Sequence, residues 1–524
     1  MTQAMTQKRR AYSPWHWQTL TAVVFAALLV VGAGCEPEIG NDPVPSFMEF
    51  DTATGRIPEP TVAAISQTTG MLDFGLLGYD VPEEPAACLT AAGWPSVAEC
   101  EFFQYLETLD GYPTLSTMRT PANAALDPAT ITYEGAADDT LVVLEGGFSK
   151  YTAGDGLVVS FNDADNYLYI DNPAGWEIGT LYVGAVRGYD NGVVTSDGTR
   201  VVASVIYNLL KREESLLDCA PDAQTPPFYN ADAVVDDQCK YYELIHEMYA
   251  SQFPGDPDGL HATVVGLLAS LEGLRQGYKG VDGITGMWDV IDLVGQMAKD
   301  EVAVAWAWPT HTQTTVELQP ALGMVPVAEG NNILRLPFKG TIDASSLVPF
   351  TLADAEAATV FLLNATVVQQ ALTNPALLND AILGFTPTLV GNELVLTADL
   401  PFIDGDRHII MLTAKAEGDN RPDLVPANAG DPFYCGVCDG PPGEVGSRPI
   451  VPSPLTVYLR TRGALVDADG NSLVSKLDNE TAVEVEESRL AMAQLFDEPL
   501  FASLTHDLIR ENVAYVYAFN YVAP

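Results

Sequence analysis

Lys299-Asp300-Glu301-Val302-Ala303-Val304-Ala305-Trp306-Ala307-Trp308 opens on charged residues and then alternates small and large apolar ones. Arg510-Glu511-Asn512-Val513-Ala514-Tyr515-Val516-Tyr517-Ala518-Phe519 repeats that pattern roughly 210 residues later, a separation that marks an internal repeat. Side chains two apart share one face of a sheet, so each stretch predicts a strand with its aromatics on one side. The Trp/Tyr stripe is read as packed core in preference to a glycan-binding platform.

Working outward, more of the chain doubles. Ala122-Asn123-Ala124-Ala125-Leu126-Asp127-Pro128-Ala129-Thr130-Ile131 has a partner in Phe338-Lys339-Gly340-Thr341-Ile342-Asp343-Ala344-Ser345-Ser346-Leu347. Each precedes a β-rich run, Thr140–Leu144 and Thr359–Leu363. Leu181–Gly188 predicts a strand ending in Arg-Gly, and Val457–Gly463 is read as its counterpart. Asp197-Gly198 and Asp469-Gly470 then predict tight turns, because such turns need φ > 0. Helical spacing follows at Val264, Val265, Leu267, Leu268, Leu271 and Leu274, and at Met287, Val290, Ile291, Val294 and Met297. Leu490, Leu495, Leu500, Leu504 and Leu508 are read as a shorter counterpart. The fold class predicted is mainly β: two tandem β-sandwich lobes with helical insertions before the last strand of each.

The chain has 524 residues and a formal net charge of -45. Phosphate binding needs clustered Lys and Arg, so nucleic acid is excluded as a partner. Residues 1–34 carry Lys8, Arg9 and Arg10, no acid, and the apolar run Leu20–Val31. That order describes a secretory signal. Gly32-Ala33-Gly34-Cys35 resembles the lipobox of bacterial lipoproteins, which implies lipidation at Cys35 and a membrane anchor. Losing the signal leaves 22 basic residues against 70 acids. Residues 35–50 read as an acidic, Pro-rich tether, 51–112 as a leading segment, 113–318 as lobe 1 and 319–524 as lobe 2. Six further cysteines fall in close pairs: Cys88/Cys100, Cys219/Cys239 and Cys435/Cys438. Three loop-closing disulfides are expected from proximity in an oxidising compartment. Cys435 and Cys438 have CxxC spacing, but they sit in a Pro/Gly-rich loop and read as a staple.

Phe50-Asp51-Thr52-Ala53-Thr54-Gly55-Arg56-Ile57-Pro58-Glu59-Pro60 resembles the opening motif of the bacterial virulence-factor lipase N-terminal domain. That motif continues Asn-Asp-Leu, where this chain has Thr61-Val62-Ala63. Leu109-Asp110-Gly111-Tyr112 and Leu126–Thr130 are similar to that family's next segments. The repeated lobes also look like bacterial Ig-like (SbsA-type) domains of surface proteins. In the lipases of that family an α/β-hydrolase domain follows. No G-x-S-x-G elbow occurs here, and the sequence up to Pro524 reads as the second lobe. The resemblance therefore implies the non-catalytic part of such a protein.

His246-Glu247-Met248-Tyr249-Ala250 lacks the second histidine of a zinc-protease motif. Calcium is the one cation kept, with Asp163 and Asp165 in one acidic turn and Asp467 and Asp469 in another; both turns also read as solvated hairpins. No other cofactor is expected. The function expected is a lipid-anchored outer-membrane protein, facing periplasm or cell surface. Its role would be non-catalytic, binding a protein or glycan partner or serving structurally. The alternatives are an accessory part of a lipase/esterase-type system and a calcium-dependent adhesion module.

Overall fold

The computed structural model describes residues 45–51, 56–66, 68–83, 85–146, 149–217, 240–280, 286–313, 315–316, 327–329, 331–353, 355–371, 374–413, 450–497 and 510–521. Cys35 and the expected signal, most of the expected tether, and Cys219, Cys239, Cys435 and Cys438 lie outside the described residues. No helix among the described residues is long and apolar enough to cross a membrane.

The fold is mainly β, built of several small antiparallel sheets with helices between them. The first half contributes β1 (Ser46–Met48), β2 (Met118–Pro121), β3 (Leu141–Glu145), β4 (Ser149–Lys150), β5 (Val158–Asn162), β6 (Tyr167–Asp171), β7 (Leu181–Arg187), β8 (Val201–Ala203) and β9 (Val302–Pro309). The second contributes β10 (Thr315–Val316), β11 (Val327–Glu329), β12 (Ile333–Lys339), β13 (Val360–Asn364), β14 (Phe385–Val390), β15 (Glu393–Ala398), β16 (Arg407–Thr413) and β17 (Val513–Asn520). Both alternating stretches form strands, β9 and β17, each entered through a single 3-10 turn over its charged residues. Trp306 and Trp308 are fully buried, so the stripe is core.

Sheet order shows the duplication. β4-β3-β7-β9 in the first half corresponds to β13-β16-β17 in the second, and β2-β6-β5 to β12-β15-β14. The hydrogen bonds repeat as well. Asp127 Oδ1 accepts from Ala129 N at 3.0 Å, and Asp343 Oδ1 from Ser345 N at 2.8 Å. Thr140 Oγ1 donates to Thr130 O and accepts from Thr132 N; Thr359 Oγ1 donates to Ser346 O and accepts from Val348 N. Even the irregularity recurs, since the closing pair slips register at Val186/Arg187 in one half and at Leu412/Thr413 in the other.

The helices are α1 (Val97–Glu107), α2 (Val205–Leu210), α3 (Lys240–Tyr249), α4 (Pro257–Lys279), α5 (Met287–Leu293), α6 (Ala365–Ala371), α7 (Leu378–Ala381), α8 (Pro454–Arg460) and α9 (Asn479–Phe496). Asp256 caps α4 by accepting from Gly259 N at 2.9 Å, and Pro257 at its first position is preset for the helix. α5 ends at Leu293, so Met297 is buried but lies beyond the helix. Leu490 and Leu495 lie on α9, while Leu500, Leu504 and Leu508 lie outside the described residues.

One expected pairing is corrected. Val457–Gly463 is not a strand; most of it is α8, capped by Ser453 and started by Pro454. The true partner of β7 is β16, which takes the same central place between two antiparallel neighbours. The two Asp-Gly turns do form, with Gly198 at φ 84 and Gly470 at φ 83. Residues Ser46–Pro524 make one unit.

Candidate functional site

The leading segment joins the two halves, and its Glu59, Glu99 and Glu101 reach the second half. Ser96 caps α1 by accepting from Glu99 N at 3.0 Å, and its hydroxyl donates to Leu473 O of the second half at 2.9 Å. The buried Glu99 accepts from Ser475 N at 3.0 Å. Glu101 accepts from Arg462 N and Nη1, each at 3.0 Å, and from Thr461 Oγ1. Between these contacts Phe102 stacks on Tyr458 of α8, centroids 4.8 Å apart. Tyr105 OH donates to Pro452 O at 2.6 Å. The expected Cys88–Cys100 disulfide is formed and ties the 3-10 turn Pro85–Leu89 to α1.

The approach at Gly463 is close. A Cβ there would lie 2.4 Å from Ala98 N and 2.9 Å from Val97 Cβ, so α1 docks only against glycine. Gly463→Val is expected to destabilise by about 2–3 kcal/mol, since backbone must move to admit the side chain. The loss should appear as a lower unfolding midpoint and as faster proteolysis within residues 85–112. An unchanged midpoint would show that the helix sits elsewhere.

A second cluster joins three parts of the chain. Glu59 of the leading segment pairs through its backbone with Arg119 on β2 and accepts from Arg119 Nε at 3.1 Å and Nη2 at 2.9 Å. The same oxygen accepts from Lys476, which precedes α9. Arg119 and Arg56 lie over the Tyr167 ring, 4.9 and 5.1 Å from its centroid, and Arg56 pairs with Glu49. Burial pushes the Glu59 carboxyl up, but Lys476 and Arg119 outweigh it and hold it at about 2. Burial, with Arg119 adding to it, lowers Lys476 from its ordinary value.

A third ion pair stitches the helical insertion. Arg275 donates to Glu272 with Nε at 2.8 Å and Nη2 at 2.7 Å, and the two are only 5% and 3% exposed. Glu272 also accepts from Leu216 N at 2.8 Å, and Arg275 donates to Arg212 O and Glu213 O at 3.2 Å each. The Arg275 hydrogen bonds hold the Glu272 carboxyl at about 2, against the opposing push of burial.

Both carboxyls therefore sit below their ordinary value of 4.5. A depressed carboxyl stabilises the fold fully above its unfolded value and loses that contribution as pH falls. Stability should drop between pH 4.5 and about 2, by about 3 kcal/mol for each group. Acid titration of a urea midpoint checks this, and Glu59→Gln should flatten part of the slope.

The four aspartates considered for calcium fall in two separate turns. Asp163 is exposed in the β5–β6 turn, where Asp165 accepts from Tyr167 N at 3.1 Å and from Tyr169 OH at 2.6 Å. Asp467 accepts from Asp469 N at 2.9 Å and from Asn471 N and Nδ2 at 2.8 and 2.9 Å. The Asn471 side chain leads in lowering the Asp467 carboxyl. Asp469 is exposed. Among the described residues no group of three or more His, Cys, Asp or Glu is placed to hold a metal ion.

Other motif residues turn out to be fasteners too. Tyr249 OH donates to Asp51 Oδ1 at 2.9 Å, and Tyr112 OH to Thr61 O at 3.1 Å. Asp110 accepts from Thr312 N at 2.8 Å, just past the end of β9. The Glu59–Arg119–Lys476 cluster was missed in the sequence because its members are far apart in the chain. The one local signal was the position of Glu59 between the two prolines of the opening motif.

No family model matches the chain, and no curated protein matches it. Among solved structures it is similar to the N-terminal part of the bacterial S-layer protein SbsC, with 9% identity over 42% of this chain and a TM-score of 0.14. A longer structure of the S-layer protein rSbsC gives 9% identity over 43% and a TM-score of 0.16. The chain spans 34% of the first and 24% of the second. A superposition of that extent decides neither overall fold nor role.

Proposed function

We propose that this is a non-catalytic, extracytoplasmic protein of two Ig-like lobes, lipid-anchored through Cys35 and serving a binding or structural role at the outer membrane. One observation carries the reading. Asp51, Arg56 and Glu59 of the lipase-like opening motif are engaged in joining segments, with Glu59 saturated by Arg119 and Lys476. A carboxylate held at about 2 by two cations stays ionised at neutral pH and suits a tie between segments. The repeated sheets and their matching turns support reading each half as one lobe. The surplus of acids supports a soluble, non-adhering surface and a protein or glycan partner, not nucleic acid.

Two measurements test the proposal. Purified protein lacking residues 1–35 should hydrolyse short and long p-nitrophenyl esters at the buffer rate; saturable turnover would overturn the non-catalytic reading. Mass spectrometry of the mature N-terminus should find an acylated Cys35, and an unmodified or internally cleaved terminus would remove the anchor.

A further inference from the structure

The two halves place an aromatic trio at the same point of the repeated sheet, and one member differs in kind. In the first half Tyr182 on β7 pairs in register with Trp308 on β9, their rings stacked at 5.4 Å. Trp176 closes on them at 4.9 and 5.8 Å. In the second half His408 on β16 pairs in register with Phe519 on β17, again stacked at 5.4 Å. Phe402 closes on them at 5.0 and 5.9 Å. Histidine thus stands where the other half has tyrosine.

The polar atoms fare differently. Across the neighbouring strand Tyr182 faces Glu145 and His408 faces Asn364. Tyr182 OH donates to Glu145 Oε1 at 3.0 Å and accepts from Glu177 N at 2.8 Å. Asn364 is engaged elsewhere: Nδ2 donates to Asp406 Oδ2 at 2.7 Å, and Oδ1 accepts from Val367 N at 3.1 Å. His408 is 1% exposed, and neither ring nitrogen has a hydrogen-bond partner among the described residues. A neutral ring can occupy that seat as an aromatic. An imidazolium would bring two donors and a charge into a buried seat, where the backbone and carboxylate of Asp406 favour it but do not offset the cost of burial.

We propose that His408 is a pH-sensitive latch: uncharged, it seats the loop that carries Phe402, and protonated, it releases that loop. In the loop, residues 399–406, Leu400 and Ile403 are 71% and 58% exposed, so Phe402 is its main apolar anchor, beside the backbone bonds of Phe402 N to Asn331 O at 2.6 Å and Gly405 N to Tyr521 O at 2.9 Å. The surrounding elements offer little to offset the charge. Asn364 on β13, every residue of α6, and Phe519 on β17 carry none, and Tyr517 on β17 is neutral near pH 7. Arg407 is the flanking cation on β16, and Asp399, Asp404 and Asp406 are the acids of the loop. Burial lowers the imidazole's pKa, and Asp406 opposes that only in part. A base with a depressed folded pKa stabilises the fold above its unfolded value, about 6.5, and loses that as pH falls.

The test is urea unfolding of the wild-type chain and His408→Phe between pH 7.5 and 5, above the range where Glu59 and Glu272 titrate. Relative to H408F, the wild type should lose up to about tenfold in its folding equilibrium constant per pH unit below about 6.5. Amide exchange over residues 399–406 should rise across the same range in wild type only. Parallel profiles for the two proteins would overturn the latch. Should H408F not fold, imidazole C2 hydrogen exchange on the wild type, read by mass spectrometry, decides alone. A His408 titrating well below the other histidines supports the proposal, and one titrating at the ordinary value overturns it.

Discussion

Arg275→Ala should cost about 3–5 kcal/mol, because it strands the Glu272 carboxylate inside the helical insertion without its cation. Leu216 N and Gln276 would remain as donors to Glu272, but neither carries charge. The same change removes the bonds of Arg275 to Arg212 O and Glu213 O, leaving Glu213 O only Lys279 Nζ at 3.1 Å, so residues 212–216 should loosen from α4. Urea titration measures the loss, and amide exchange at 212–217 locates it. The double variant Arg275→Met/Glu272→Leu separates pair from packing. It should recover most of the stability, since a well-packed apolar pair of similar volume replaces an ion pair at little cost. A single variant within about 0.5 kcal/mol of wild type would contradict the burial of this pair.

Trp308→Ala should cost a similar amount, about 3–5 kcal/mol, through the cavity it leaves. Its ring is fully buried, lies stacked on Tyr182, and touches Trp176 and Trp306. The equivalent Phe519→Ala should cost clearly less, because Phe519 is only half-buried at the outer end of β17. The comparison uses the internal repeat as its own control: equal losses would mean that the two trios do not have the burial described. Tryptophan fluorescence of Trp308→Ala should also shift to the red as water reaches Trp176 and Trp306.

How much of the fold is legible in the sequence depends on whether the signal is local. The alternation of small and large residues at Val302–Trp308 and Val513–Phe519 marks both closing strands, because side chains two apart share one face of a sheet. The turns at Gly198 and Gly470 were equally legible, since one residue carries the conformational demand. Asp127-Pro128-Ala129-Thr130 and Asp343-Ala344-Ser345-Ser346 announced the repeat because each side-chain bond stays within four residues. β16 was lost for the opposite reason. Its run His408-Ile409-Ile410-Met411-Leu412 is buried at every position and carries large side chains on both faces, so it shows no alternation of size or polarity. Val457–Gly463 took its place through an Arg-Gly ending shared with β7, although Ser453-Pro454 is a helix start.

The joint between the halves was illegible in kind. Glu59 and Lys476 are 417 residues apart, and Glu101 meets Thr461 across 360. No window of sequence contains such a pair. The acidic turns at 163–165 and 467–469 read as cation candidates in sequence because their carboxylates are close along the chain. In the folded chain Asp165 and Asp467 accept hydrogen bonds close to home.

β1 bears on mechanics. The chain enters the body through Ser46–Met48, which runs parallel to β8 on one side and is bridged to Ala122 on the other. Ser46 N bonds Arg200 O at 3.0 Å, Asn123 N bonds Phe47 O at 3.1 Å, and Glu49 N bonds Pro121 O at 2.8 Å. These bonds lie across the strand, so a pull along it from the amino-terminal side loads them together in shear. Peeling, which would break them one at a time, needs a force directed sideways. Traction on the preceding segment would therefore be carried into the first half through a short grip held on both edges, which resists most strongly along its own axis.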